Sequence, residues 1–304
     1  MTTLPMTPPP QAAPRPATYT VGATNEATRN AWVEQALSKV PAGARLLDAG
    51  AGEQRYRPFC SHLKYVSQDF ARYDGKGDGA GLQTQAWDQS GLDIVCDITS
   101  IPEPDCSFDT VLCTEVFEHL PEPTAALREF ARLLKPDGHL ILTAPFCSLT
   151  HFAPFHFATG FNRYYYKRHL PANGFEILDV QENGNFFEFV AQELRRTRGV
   201  AARYAGESFT TAELAAVHTV LGALQRFSGN DRGSKELLHF GFHVFARKAA
   251  TAAEQPASDV TTEKKAPAAA VPTQSEAAKN GWLGHLNQAL RATTKDNRKP
   301  RPKE

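Results

Sequence analysis

The sequence predicts an α/β fold, in which a doubly wound, mostly parallel sheet of seven strands carries helices on both faces. Three observations predict it. Between residues 24 and 248, short apolar segments alternate with segments of helical periodicity. Several apolar segments lack polar alternation, as expected for strands that are buried on both sides. The first of them ends in a glycine-rich turn, which is typical of a ligand site at the edge of a parallel sheet.

The first part of the predicted domain contains five strands and three helices. The helices are recognised by apolar residues at helical spacing, such as Trp32, Ala36 and Leu37. The strands are predicted at residues 44–50, 65–69, 92–97, 108–115 and 139–145. The helices are predicted at residues 32–40, 56–63 and 126–134, and KPDG stops the last of them.

The later part supplies a sixth strand at residues 175–180 and a seventh, edge strand at residues 237–248. Two helices, residues 186–196 and 211–227, are predicted between them. The connection at residues 71–91 is long and rich in glycine. It is interpreted either as a mobile flap beside a bound ligand or as a tolerated surface loop.

Both ends of the chain are predicted to be disordered, over residues 1–23 and residues 249–304. Proline, threonine and alanine dominate them, so these segments bury too little apolar surface to offset the entropy of ordering. Within the second tail, residues 281–291 place Trp282 and Leu286 at four-residue spacing. This short amphipathic segment is interpreted either as a docking helix for a protein partner or as a marginal, frayed helix.

Composition excludes several classes of protein. Lysine plus arginine equals aspartate plus glutamate at 33 each, so no net charge recruits nucleic acid or an anionic membrane. The five cysteines form no CxxC pair, which predicts reduced, mostly buried thiols and a cytoplasmic location. Neither a secretory signal nor an apolar run of about 20 residues is present, so we expect neither secretion nor an integral membrane segment.

The first strand leads into LLDAGAGEQR, residues 46–55, in which Gly50 and Gly52 form a turn. A dinucleotide site would need a glycine for close helix packing where Arg55 stands, and Asp48 would repel the pyrophosphate. S-adenosylmethionine carries a sulfonium and an ammonium group instead of phosphates, and a carboxylate at position 48 attracts both. The turn therefore favours S-adenosylmethionine over a dinucleotide.

Two further acids close the next two strands. Asp69 stands 19 residues after Gly50, close to the spacing of about 20 at which an acid accepts from ribose hydroxyls. Asp97 ends the third strand and is placed to accept from an adenine amino group, with the Ile98 amide beside the ring. Acids at three successive strand ends strengthen the prediction of an adenosine-containing ligand.

From residue 46 to residue 146, the chain resembles the class I S-adenosylmethionine-dependent methyltransferases, in the group with small-molecule and glycan-type acceptors. DAGAG matches their glycine motif, Asp69 their ribose acid and Asp97 their adenine acid. Residues 107–146 match their segment from the fourth to the fifth strand. One departure is Gln54, where the family often has a third glycine.

The resemblance implies a Rossmann-like methyltransferase fold and S-adenosyl-L-methionine as the cofactor. The cofactor-binding residues that follow are Asp48, Ala49, Gly50, Gly52, Asp69, Asp97, Ile98 and Glu115. Glu115 ends the fourth strand, so it is expected to face the methionine portion of the cofactor or the acceptor. No metal ligand set is predicted.

The acceptor is expected to lie beyond the fifth strand, where residues 145–170 pack many aromatic rings. The rings are interpreted either as an acceptor wall or as packing for a lid or a dimer interface. A hydroxyl acceptor would gain from a base with a pKa near neutrality, which points to His151 or His156. His119 is a third candidate, with a structural hydrogen bond as its alternative role.

The predicted function is methyl transfer by direct displacement to a small-molecule or carrier-linked acceptor, a glycan among the candidates. The alternative is a catalytically silent relative that binds the cofactor and acts as an interaction protein through its tails. A nicotinamide oxidoreductase is disfavoured by Asp48 and Arg55. Nucleic acid is not expected as a partner, because no basic stripe is present and the fourth strand ends in TEVFEH.

Overall fold

The structure is a computed structural model that describes residues 18–249. The predicted helix at residues 281–291 lies outside the described residues, as do residues 1–17 and 250–304. The seven strands are β1 Arg45–Ala49, β2 Lys64–Asp69, β3 Ile94–Val95, β4 Phe108–Thr114, β5 Leu134–Pro145, β6 Phe175–Asn183 and β7 Gly241–Lys248. The five α-helices are α1 Asn25–Ser38, α2 Pro123–Leu133, α3 Arg163–Ala172, α4 Phe186–Tyr204 and α5 Thr211–Gly229.

The strands form one sheet in the order β3-β2-β1-β4-β5-β7-β6. The pairs from β3 to β5 are all parallel, and β7 pairs antiparallel with both β5 and β6. This confirms the predicted fold class. The edge position predicted for the last strand is wrong, because β7 inserts between β5 and β6 and leaves β6 at the edge. Its Val244 and Ala246 are fully buried, as an interior strand requires.

Packing on both faces of the sheet gives the fold its core. On β1, Leu46 packs with α1 on one face, and its neighbour Leu47 joins the cluster formed by α2 and α3 on the other. The same change of face occurs on β4 between Val111 and Leu112. Successive side chains of a strand point to opposite faces, so continuous apolar runs are what a doubly covered sheet needs.

Residues 18–23, which were predicted to belong to the disordered tail, pack against α4 and α5. Val21 is fully buried with Ala191 and Leu221. The Gly22 N–H donates to Glu188 Oε2 at 2.7 Å, and the Val21 N–H donates to a side-chain oxygen of Gln225 at 2.9 Å. The other predicted domain boundaries stay predictions.

Four local predictions need correction. The helix predicted at residues 56–63 is only a short 3₁₀ turn, Arg57–Cys60, because the glycine turn uses most of the connection between β1 and β2. The third strand is reduced to two residues. Helix α3 begins within residues 145–170, for which no helix is predicted, and Asn162 caps it by accepting from two backbone N–H groups. Cys106 and Cys147 are exposed, so the thiols are not mostly buried.

No helix within the described residues is both long and apolar enough to cross a membrane.

Candidate functional site

A cavity of about 510 Å³ opens at the carboxyl ends of β1 to β4. This is the edge at which parallel α/β sheets bind ligands. Its inner wall comes from the turn after β1, the end of β2 and the segment after β3. Its outer wall comes from residues 115–125, from the connection at residues 71–91 and from the loop that follows β5.

The glycine turn lies against this cavity and has no room for larger residues. Gly50 has a φ of +80°, and a Cβ atom there would lie 2.4 Å from Val116 Cγ2. The N–H groups of Gly50 and Ala51 both donate to the Gln68 carbonyl oxygen, at 2.8 and 2.9 Å. The turn is thereby fixed to β2, with its backbone exposed to a ligand at Gly50.

Asp69 connects the turn to the cavity. Its carboxylate accepts from the Gly52 N–H at 3.0 Å and from the Ala71 N–H at 2.9 Å, and it lines the cavity. Burial raises the pKa of Asp69, and the bonds from these two amides oppose that shift. Gly52 therefore acts through its backbone, as a support for Asp69.

Asp97 and Ile98 lie where the sequence places them. Both line the cavity just after β3. Asp97 Oδ1 accepts from the Thr99 N–H at 2.8 Å and from its hydroxyl at 2.7 Å, and these bonds lower the pKa of Asp97. Its carboxylate is therefore charged at neutral pH and held in one orientation beside the apolar Ile98 side chain.

The predicted contact of Asp48 with the cofactor needs correction. Asp48 does not line the cavity, and its carboxylate accepts from the Tyr65 hydroxyl at 2.6 Å. Asp48 shares a strand face with Leu46, so it points toward the α1 side of the sheet. Burial raises the pKa of Asp48 to about 7. Ala49 is also fully buried and lies behind the turn.

Glu115 brings a carboxylate to the cavity, as expected from the sequence. It lines the cavity, and its φ of +53° turns the chain sharply after β4. Its Oε2 pairs with Arg29 Nη1 at 2.9 Å, and its Oε1 accepts from the Thr143 hydroxyl at 2.9 Å. The sequence did not predict a role for Arg29. The spacing of apolar residues in α1 does not show whether an arginine side chain reaches the sheet edge or stays in solvent.

The charges of the lining residues are mostly negative. The cavity is lined by the carboxylates of Asp69, Asp97, Glu115 and Glu122 and by one guanidinium, that of Arg72. Such a wall attracts a cationic ligand and repels a pyrophosphate.

The three predicted catalytic histidines come together in space. The ring centroids of His119 and His151 are 4.7 Å apart, and those of His151 and His156 are 4.8 Å apart. His119 is among the cavity-lining residues, and His151 and His156 are not. Burial, with a smaller contribution from His151, lowers the pKa of His119 to about 3. Burial also lowers the pKa of His151 and of His156, so all three are neutral at pH 7.

Aromatic side chains form the outer wall. Tyr73 and Trp87, from the connection at residues 71–91, line the cavity with Phe152. Tyr73 stacks on Phe152 with a centroid distance of 4.6 Å, and Trp87 meets Tyr73 edge-on at 5.0 Å. The long connection is thus part of the site. Sequence reasoning missed Trp87, although a lone tryptophan in a glycine-rich loop was a usable signal.

The connection and the loop after β5 are joined by backbone hydrogen bonds, and we call this junction the rim. The Leu82 N–H donates to Thr150 O at 2.9 Å, and the Phe152 N–H donates to Leu82 O at 3.0 Å. The Asp78 N–H donates to Ala153 O at 3.1 Å. Of the residues in these bonds, Phe152 also lines the cavity.

Comparison with known proteins agrees with this geometry. Residues 47–142 match the protein family described as a methyltransferase domain. The ubiquinone biosynthesis O-methyltransferase of Xanthomonas axonopodis pv. citri is 33% identical over 114 residues, which are 34% of this chain and 44% of that protein. Its counterpart from Xanthomonas oryzae pv. oryzae is 37% identical over 109 residues, 34% of this chain and 43% of that protein. The match thus spans less than half the length of these relatives.

Among solved structures, the similar chains include phosphoethanolamine N-methyltransferase 2 of Haemonchus contortus in complex with S-adenosyl-L-methionine. It is 16% identical, and the match covers 74% of this chain and 53% of that one, with a TM-score of 0.43. A score this low adds nothing to the fold assignment, which rests on the strand order.

Proposed function

With residues 47–142 identified as a class I S-adenosylmethionine-dependent methyltransferase domain, we propose that this chain methylates a hydroxyl oxygen of a small-molecule or carrier-linked acceptor. Glycans are among the candidates. The resemblance to two O-methyltransferases supports oxygen as the methylated atom. The aromatic wall of the cavity supports an acceptor with a ring that can stack.

One observation carries the proposal. Asp69 and Asp97 end neighbouring strands, both line one cavity with Gly50, and the surrounding charge is negative. In this arrangement Asp69 would accept from the ribose hydroxyls and Asp97 from the adenine amino group. Glu115 would face the methionine portion and accept from the ammonium group, with its charge already partly offset by Arg29 at 2.9 Å.

S-adenosylmethionine supplies a methyl group that is already activated by the sulfonium. The acceptor oxygen bonds to the methyl carbon as the carbon–sulfur bond breaks, and the hydroxyl proton passes to a base or to water. The contribution of this chain is then alignment and exclusion of water, since Tyr73, Trp87 and Phe152 cover the cavity.

Of the three predicted bases, only His119 lines the cavity, and its Nε2 atom is buried without a hydrogen-bond partner among the described residues, while its Nδ1 lies 2.5 Å from the Phe155 carbonyl oxygen. Its lowered pKa, about 3, keeps it neutral and able to accept a proton, but makes it a weak base at pH 7. His151 and His156, favoured by the sequence, would act only through His119 or after a movement of the loop. His119 alone is therefore too weak a base to account for removal of the hydroxyl proton, and a further group or water has to take part.

Calorimetric titration with S-adenosylmethionine tests the cofactor site. We expect micromolar binding by the full chain, weakened about tenfold or more by Asp69→Asn, because a charged acceptor for two ribose hydroxyls is lost. Asp179→Asn is the matched control, since Asp179 is an exposed carboxyl on β6. Absence of heat with the unaltered protein, or equal affinity of both variants, would refute the assigned site.

The alternative, a catalytically silent cofactor-binding relative, makes a different prediction. It would bind S-adenosylmethionine but transfer no label from labelled cofactor to any component of a cell extract. We retain the cytoplasm as the proposed location, supported by five free cysteines. A protein partner for the C-terminal tail stays a prediction.

A further inference from the structure

An arginine in the last turn of α4 reaches the long connection that forms part of the cavity wall. Arg203 donates from Nη1 to the Gly81 carbonyl oxygen at 2.7 Å and from Nη2 to the Gly79 carbonyl oxygen at 3.0 Å. Both glycines lie in the connection at residues 71–91. We propose that Arg203 is a positioning residue, which holds this connection and the Tyr73 ring against the cavity, a role that rests on the function proposed above.

The two bonds use the planar fork of the guanidinium. Its two terminal nitrogens bond carbonyl oxygens that belong to residues 79 and 81 of one segment. The donors carry charge, so each bond is stronger than a bond between neutral groups. A lysine ammonium on its flexible stem does not reproduce this planar arrangement. Because Arg203 is exposed, we expect its loss to change the position of the connection more than the stability of the whole domain.

The segment held by Arg203 is linked to the cavity through the side chain of Gln83. Ala80, between the two glycines, accepts from Gln83 Nε2 at 2.6 Å. Gln83 Oε1 in turn accepts from the Tyr73 hydroxyl at 2.7 Å. Tyr73 is 3% exposed, lines the cavity and stacks on Phe152. A displacement of residues 79–81 is therefore transmitted to a ring that a ligand in the cavity would contact.

Helix α4 gives Arg203 a fixed base. Arg195, two turns earlier in the same helix, donates to the Val21 carbonyl oxygen at 2.8 Å and to the Tyr19 carbonyl oxygen at 2.6 Å. The start of the described chain, the helix and the connection are thus joined in series by hydrogen bonds. The sequence did not predict this arrangement, because the helix predicted there ends at residue 196 and the pattern beyond it shows no apolar stripe.

The rim supplies a competing explanation for the position of the connection. Its backbone bonds hold residues 78–82 from the loop after β5, whereas Arg203 holds them from α4. If the rim is sufficient, the connection stays in place without the guanidinium. If both contacts are needed, the connection opens more often in a variant without Arg203, and its amide hydrogens exchange faster.

Hydrogen exchange of the full chain, without cofactor or acceptor, separates these explanations. Mass spectrometry follows residues 76–87, which include the bonded N–H groups of Asp78 and Leu82. Arg203→Ala should raise the exchange rate of this segment about three- to tenfold, because two charge-assisted bonds are lost. Arg203→Lys should give a smaller increase. Arg198→Ala, which removes the same charge from an exposed position of the same helix, is the matched control and should exchange as the unaltered chain does.

Calorimetric titration with S-adenosylmethionine measures the consequence for the site. Arg203→Ala should weaken binding about three- to tenfold, and Arg203→Lys should weaken it less. Arg198→Ala should bind as the unaltered chain does. Circular dichroism melts show whether each variant is folded. A lower melting temperature together with faster exchange throughout α4 and the sheet would mean that Arg203 serves only the stability of the domain, and this result would overturn the proposal.

The remaining outcomes are also decisive. Unchanged exchange in Arg203→Ala, or an equal increase in Arg198→Ala, would show that Arg203 does not hold the connection. Faster exchange with unchanged affinity for the cofactor would refute the positioning role. If the unaltered chain gives no heat of binding, the proposed function is refuted. The exchange of the ligand-free variants then still decides whether Arg203 holds the connection, so the two failures are distinguishable.

Discussion

Asp48 shows how the direction of one side chain changes its role. It stands in the glycine motif, yet strand alternation turns it away from the cavity and into a contact with Tyr65. Burial raises its pKa to about 7, because a charged carboxylate is poorly solvated there. We therefore assign Asp48 to the contact between β1 and β2 and not to the charge of the cavity.

This assignment predicts a pH dependence. The folded pKa of Asp48, about 7, lies above the ordinary value of 3.8, so between these values the folded protein binds more protons than the unfolded chain. Its stability contribution is full below about pH 4 and is lost as the pH rises to 7. Asp48→Asn removes this loss. The free energy of unfolding of the variant, relative to the unaltered protein, should rise by roughly 1 kcal/mol per pH unit between pH 5 and pH 7.

Urea denaturation at pH 5, 6, 7 and 8 measures this difference. Asp179→Asn, at an exposed position, provides the control and should show no such slope. A constant difference between Asp48→Asn and the unaltered chain across this range would show that Asp48 is charged throughout.

At the scale of residues, the sequence predicted Asp69 and Asp97 because parallel strands end at one edge of the sheet, whatever their neighbours are. It could not predict the role of Asp48, since a motif does not tell which face of a strand its acid takes. It placed His119 and His151 in adjacent elements but not in contact. Their meeting depends on the path of the loop after β5, which no local pattern encodes.

At the scale of elements, helices α4 and α5 form a pair that holds the start of the described chain. Val21 is fully buried in their groove, whereas Val220 on α5 is 47% exposed. Residues 18–23 cover the apolar groove between these two helices, so they contribute to the domain.

Two matched substitutions test this contribution. Val21→Ala should lower the free energy of unfolding by about 1 to 3 kcal/mol, because buried methyl groups are lost and a cavity remains. Val220→Ala should change it by less than about 0.5 kcal/mol. Urea denaturation measures both, and equal effects would mean that residues 18–23 do not stabilise the domain.

The elements that the sequence predicted best are the long ones. Helix α5 was predicted to within two residues of its observed end, whereas α4 was predicted to end at residue 196 and continues to Tyr204. Helix α3 was missed because tyrosines and basic residues in RYYYKRHLPA give no apolar stripe, and its cap at Asn162 is a single residue. The edge position of β7 was predicted wrongly, since alternation is also found in an interior strand whose neighbours run antiparallel.

At the scale of the whole molecule, the sheet and the loops beyond its edge supply different parts of the site. Its parallel half, β3 to β5, brings the acids Asp69 and Asp97 and the glutamate at position 115 to one edge. The loops beyond that edge supply the aromatic wall and the histidines. The order of the strands was not encoded in any one segment, because strand order arises from the packing of all of them together.

The rim has a kinetic consequence. Its backbone bonds join residues 78–82 to residues 150–153, and we expect release of a bound ligand to require that these bonds open. A Cβ atom at Gly81 would lie 2.4 Å from the Thr150 carbonyl oxygen, whereas one at Gly79, which also has a positive φ, meets nothing within 4 Å. Gly81→Ala should therefore raise the dissociation rate constant of S-adenosylmethionine about tenfold, and Gly79→Ala should leave it within about twofold.

Stopped-flow fluorescence reports these rates directly, because Trp87 lines the cavity. Equal rates in the two variants would mean that release does not pass through the rim. If the rates differ as expected, the residence time of the cofactor is set by a glycine that touches neither the cofactor nor the acceptor.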